Sequence, residues 1–107
     1  MGTEVRVVFC TFPDPDIASR VAREAVEQRY AACANLVIGV QSIYRWQGTL
    51  EQATETLVIY KTSAARYPEL EAFLSRSHPY EVPEIVSLPL SDGSKAYLQW
   101  VLDNSAP

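Results

Sequence analysis

Cys10 and His78, the single histidine of the chain, are the residues whose types could do chemistry here. Thiolate and imidazole together suit soft or borderline metals such as copper or zinc. A structural zinc site takes four ligands, which one Cys and one His per chain cannot supply. Two ligands could hold Cu(I) weakly, or a neighbouring copy could add more. Glu81 and Glu84 lie nearby in sequence, but hard carboxylates select against Cu(I). The same pair could form a nucleophile and its base, yet no third group stands ready to orient the base. The 4 glycines are dispersed, so no phosphate-cradling loop accompanies them. Neither enzymatic activity nor an organic cofactor is expected. A plainer reading stays open beside the metal, with Cys10 as a buried strand end behaving as a small hydrophobe and His78 as a loop residue bonded to backbone. Only a thiolate ligates, so the two readings differ in the protonation of the Cys10 sulfur.

Whether these side chains meet depends on the elements that carry them. Residues 5–9 are a β-branched and aromatic run closed by Cys10-Thr11, which predicts a first strand. Asp14 can cap a following helix, with Pro15 suited to its first position and Asp16 to the positive end of its dipole. Ile17, Ala18, Val21, Ala22, Ala25 and Val26 form an apolar stripe at helical spacing, running to about Tyr30. Residues 34–46 read as a strand with a bulge or bend at Gly39, residues 47–49 as a hairpin tip, and residues 54–62 as the returning strand. Residues 64–77 form a second helix with Pro68 in its first turn. The two prolines of His78-Pro79-Tyr80-Glu81-Val82-Pro83 keep that segment out of a helix. A fourth strand over residues 84–90, a turn at 91–94 and a short helix over 95–103 complete the chain. This order is βαββαβ plus a C-terminal helix, the split βαβ, ferredoxin-like α+β fold. In its expected sheet order, 4-1-3-2, the end of the first strand, the start of the fourth and the hairpin tip fall at one end of the sheet.

Two helices cover one side of a four-stranded sheet, and the other side should then alternate in polarity along each strand. These strands do not. Leu57 and Ile59 oppose Val58 and Tyr60, Ile85 opposes Val86 and Leu88, and Val7 and Phe9 oppose Val8 and Cys10. A closing helix of about nine residues covers part of a face at most, and an uncovered apolar face is an aggregation surface. A homo-oligomer is therefore expected. Its interface is expected at Val58, Tyr60, Val86 and Leu88, with Tyr44 and Trp46 near the hairpin tip as aromatic anchors.

Composition excludes several other classes. With 107 residues, 48% hydrophobic and 21% charged, the chain is one ordinary globular domain over residues 1–107. A net charge of −4 with nine scattered basic residues leaves no footprint for nucleic acid or anionic lipid. Two cysteines are too few for a disulfide scaffold. The opening residues Met-Gly-Thr-Glu-Val-Arg lack the apolar run of a signal peptide, and the longest apolar stretch, residues 36–40, is too short to span a membrane. A soluble protein of a reducing, cytoplasmic compartment is expected.

Three segments carry a resemblance: Ala-Ala-Cys-Ala-Asn-Leu at 31–36, Ser-Ile-Tyr-Arg-Trp-Gln-Gly at 42–48 and His-Pro-Tyr-Glu-Val-Pro-Glu-Ile at 78–85. With them the chain resembles the CutA family of divalent-cation tolerance proteins from about Val7 to Leu102. The resemblance implies a ferredoxin-like protomer, a cytoplasmic homotrimer with its sheets packed inside, and a link to copper and other divalent metals. It also implies metal-linked positions at Cys10 and His78. Some members carry a second histidine directly before the matched one, where this chain has Ser77, so the implied site is short of a ligand. An alternative function is small-molecule sensing in clefts between protomers, by fold-level analogy with trimeric nitrogen-signalling proteins. Arg45, Lys61, Tyr80, Glu81 and Glu84 would be its polar liners. A purely structural or interaction trimer is a further alternative.

Overall fold

The computed structural model describes residues 2–107. In the middle of strand β1 (Val5–Phe12) the sides differ: Val8, Cys10 and Phe12 turn to one side and are buried, while Val7 and Phe9 turn to the other and are half-buried. Helix α1 (Pro15–Glu27) starts where expected, with the Asp14 carboxylate accepting from the Ile17 N–H at 2.9 Å. Its buried face is Ala18, Val21, Ala22 and Ala25, and the small alanines let the helix sit close to the sheet. The helix stops before Tyr30, because Arg29 adopts a left-handed φ of 63°. The Arg29 guanidinium then donates to the carbonyls of Ala106 and Asp103 at 2.7 and 2.8 Å, tying this corner to the chain's C-terminal end.

Strands β2 (Cys33–Trp46) and β3 (Thr49–Ser63) form a hairpin far longer than the polar residues 49–53 suggest. Gln47 and Gly48 close it, both at positive φ (51° and 81°), which is the two-residue geometry that matches strand twist. Gly39, at φ 85°, occupies the bulge between Ile38 and Val40. Strands of 14 and 15 residues span roughly 45–50 Å when extended, which accounts for the molecule's longest dimension of 44 Å. Helix α2 (Tyr67–Ser77) takes Pro68 in its first turn and buries Leu70, Phe73 and Leu74. Strand β4 (Ile85–Pro89) and helix α3 (Lys95–Ser105) follow. The antiparallel sheet order is β2-β3-β1-β4, as the split βαβ reading requires.

Pairing register decides which residues share a face. Val8 lies opposite Tyr60 and Cys10 opposite Val58, so these four form one row beneath α1 and α2. Phe9 lies opposite Ile59 and Val86, and Val7 opposite Leu88, forming the other row. Val58 and Tyr60, expected on the assembly face, are instead fully buried in the protomer's own core. The open face is Val7, Phe9, Leu57, Ile59, Val86 and Leu88. Helix α3 covers one end of it, packing Val101 against Val5 and Ala32.

Two substitutions test the row beneath the helices. Val58→Asp buries an unpartnered charge, costing about 3–5 kcal/mol or more against a typical total of about 5–15 kcal/mol, so loss of cooperative thermal unfolding is expected. The Tyr60 hydroxyl is buried with no hydrogen-bond partner among the described residues. Tyr60→Phe is therefore expected to leave the melting temperature unchanged or raise it, by up to about 1–3 kcal/mol of stability. A clear drop in melting temperature would overturn that reading of the hydroxyl.

Candidate functional site

Pro79 directs His78 out of α2 and into extended backbone (φ −82°, ψ 139°). The imidazole lies against Phe12, with ring centroids 4.5 Å apart, and against Tyr80 at 4.8 Å. Its Nδ1 accepts the Tyr80 N–H at 3.1 Å, so Nε2 carries the proton and donates to the Thr11 carbonyl at 2.6 Å. Burial of the ring lowers its pKa from the ordinary 6.5, outweighing the opposing pulls of the Thr11 bond and the Glu55 charge. The histidine is a strut that pins the segment between α2 and β4 to the end of β1.

That strut places Tyr80. Its hydroxyl donates to Glu55 Oε2 at 2.7 Å, and burial, then this bond and the Glu55 charge, drive the phenol pKa well up. Glu55 is only 7% exposed. It stands on β3 just beyond the last β1 partner, at the parity of Leu57 and Ile59. Around it opens a cleft of about 630 Å³ walled by the arm on one side and residues 79–84 on the other. Tyr44, Trp46, Tyr80 and Val82 supply apolar surface, and Thr11, Glu55, Glu81 and Glu84 supply oxygen.

The sequence-derived site residues divide. Tyr80, Glu81 and Glu84 line the cleft, as do Tyr44 and Trp46. Arg45 does not; its guanidinium turns to the Gly48 carbonyl at the arm tip. Lys61 does not either, since its ammonium bonds the Asn35 side chain. Cys10 lies fully buried in the core row, outside the cleft lining. Burial above all, then the charges of Glu84 and Glu55, push its thiol pKa up to about 12. Cys10 and His78 do reach the same end of β1, but the thiol keeps its proton and both imidazole nitrogens are committed to backbone. Among the described residues no group of three or more His, Cys, Asp or Glu is arranged to hold a metal ion. Glu55 and Thr11 were not foreseen as site residues. A carboxylate at the parity of the apolar Leu57 and Ile59 is the signal that marks Glu55.

Two measurements check this geometry. The His78 ring, followed by NMR, is expected to titrate below 6.5; because its folded pKa is depressed, its contribution to stability is complete above 6.5 and is lost as pH falls through the lower folded value. A titration midpoint at or above 6.5 would contradict the burial. In a Cys33→Ser background, Cys10 is expected to resist iodoacetamide at pH 8 in the folded protein and to react within minutes once unfolded. Rapid labelling of the native protein near pH 6 would reveal an activated thiolate and reopen a catalytic role.

Comparison with known proteins agrees with this architecture. The family model for the CutA1 divalent ion tolerance protein matches residues 6–104. The divalent-cation tolerance protein CutA of Thermus thermophilus is 43% identical over 99 residues, which is 92% of this chain and 96% of that protein. Human Protein CutA is 43% identical over 97 residues, 91% of this chain, and the chain spans 54% of the human protein's length. The crystal structure of CutA1 from Shewanella sp. SIB1 superposes with a TM-score of 0.94 at 39% identity, covering 100% of both chains. Relatives from Archaeoglobus fulgidus and Arabidopsis thaliana are described as periplasmic and chloroplastic. By its matched length, its identity to these proteins and its ferredoxin-like fold, the chain belongs to the CutA1 divalent ion tolerance protein family.

Proposed function

We propose that this protein serves divalent-metal tolerance as a non-catalytic cytoplasmic homotrimer that meets copper or another divalent ion weakly. The observation that carries the assembly is the uncovered apolar surface. Val86 and Leu88 are 46% and 45% exposed beside Phe9 and Leu57, and Ile38, Ile43 and Leu50 on the arm are about two-thirds exposed. Full burial of one such side chain stabilises by roughly 1.5–3 kcal/mol. Covering the exposed parts of these five would contribute roughly 5–8 kcal/mol per protomer, comparable to the whole stability of a typical domain. A trimer with its sheets inward, the assembly that the family resemblance implies, would cover the open face, and a neighbouring copy that also reaches the other side of the hairpin would cover Ile38, Ile43 and Leu50.

The Cys10–His78 geometry supports weakness in any metal binding there. Releasing the Cys10 proton in place costs roughly 4 kcal/mol more than for an ordinary thiol, and the imidazole must first give up a backbone bond. Copper therefore has to displace existing structure to be held there.

A second reading, small-molecule sensing, is favoured by one observation, the nearly buried Glu55 carboxylate at the floor of an aromatic-walled cleft.

Light scattering during size exclusion at micromolar protein is expected to give three times the chain mass. Leu57→Asp, which puts a charge on the open face without touching the helix side, is expected to yield a folded monomer or dimer, and Trp46→Ala to weaken assembly less. A wild-type monomer of ordinary stability refutes the trimer. Copper bound per chain, measured after equilibrium dialysis, is expected to fall in both Cys10→Ser and His78→Ala and to rise in Ser77→His. Undiminished copper in Cys10→Ser removes that residue from the site.

A further inference from the structure

The cleft combines three features that are separately ordinary. Its floor is Glu55, a residue only 7% exposed, whose carboxylate faces the cleft. Glu55 Oε2 accepts from Tyr80 at 2.7 Å, while Oε1 accepts no hydrogen bond from any described residue. Its walls are the rings of Tyr44, Trp46 and Tyr80, and Glu81 and Glu84 add negative charge at the rim. None of the nine Lys and Arg residues lines it. The two cations that the sequence offered as liners, Arg45 and Lys61, are bonded to Gly48 and Asn35.

The carboxylate that floors the cleft has no cation beside it within the protomer, and a positive charge placed in the cleft would be attracted to it. The surroundings discriminate between kinds of cation. A hard divalent ion asks for six or more oxygens around one point, and the carboxylates here do not converge into such a group. Aromatic faces flanking a carboxylate instead suit a cation that carries its own apolar surface, through cation–π attraction and partial desolvation. A cleft of about 630 Å³ is within the range of small-molecule sites, roughly 300–1,000 Å³. We propose that the cleft between the hairpin arm and residues 79–84 is a binding site for an organic cation, an amine or quaternary ammonium head on an apolar body, held by Glu55 with Tyr44, Trp46 and Tyr80 around it. This rests on the reading of the cleft as a small-molecule site and names its ligand class. Tyr80 is a positioning residue as well as a wall, since its hydroxyl holds the carboxylate in place and His78 holds the tyrosine's backbone.

The test is calorimetric titration of the full-length protein with putrescine, spermidine and tetramethylammonium, alongside uncharged 1,4-butanediol, anionic succinate and zinc ion. Saturable binding of at least one organic cation is expected, with no binding of butanediol or succinate. Glu55→Gln keeps the shape and can still accept from Tyr80, and is expected to weaken that binding at least tenfold. Trp46→Ala is expected to weaken tetramethylammonium more than putrescine. Both variants are checked for native circular dichroism and Glu55→Gln for native oligomeric state, while Trp46→Ala is titrated at a protein concentration where it remains assembled. Binding of succinate or butanediol but of no cation overturns the ligand class and leaves a small-molecule cleft. Zinc binding that depends on Glu55, without amine binding, makes the cleft a metal site and overturns the inference. Absence of all binding overturns both the class and the small-molecule reading. Dissociation of the assembly in Glu55→Gln, with no amine binding, would mean that a neighbouring copy supplies the cation, and overturns it as well.

Discussion

The antiparallel pairing of β1 with β3 governs most of what this protein can do. These are the two central strands, and their register sets Cys10 opposite Val58 and Val8 opposite Tyr60. Because side chains alternate with a period of two, that register sends one row of each strand beneath the helices and the other to the open face. A slip of β1 by one residue would bring Cys10 out onto the open face and put Phe9 into the helix core. The state of the thiol, the apolar surface left for assembly and the position of Glu55 beyond the end of β1 all derive from it.

From that pairing a relay of short polar contacts builds the cleft. The carbonyl of Thr11 holds the His78 ring, the ring accepts the Tyr80 backbone N–H, and the Tyr80 hydroxyl holds Glu55. His78 and Tyr80 are each bonded on both sides, so the relay has little freedom to rearrange. Histidine suits the first place because its neutral ring can donate and accept at once. The same engagement explains why a residue with a metal ligand's chemistry is a poor ligand where it stands. Its lone pair is in use, and its neighbouring thiol is protonated in an apolar row.

For a metal-tolerance family this geometry has a consequence. A protomer that keeps its one core thiol protonated and its one imidazole occupied does not offer a prepared ligand set for a soft ion. Its most pronounced unpaired feature is negative charge beside aromatic surface at the base of a long arm, adjoining the apolar face that assembly would cover. Recognition and assembly therefore meet in the same region of the molecule.

The sequence by itself determined the order of elements, because each carried a local physical cause. Asp14-Pro15 starts α1, Gly39 marks the bulge, Gln47-Gly48 closes the hairpin and the prolines at 79 and 83 forbid a helix there. It also determined that the sheet is apolar on both sides, which alternation makes visible in any strand. It could not say which row faced the helices, since both rows are equally apolar, and so Val58 and Tyr60 were placed on the wrong side. Nor could it extend β3 back to Thr49, because the polar residues there show no strand period and pair only because β2 lies beside them. Only tertiary structure decided that Cys10 is inert and His78 a strut. Burial and hydrogen bonding are properties of what surrounds a side chain, and here the surroundings come from residues 48 and 67 positions away in the chain.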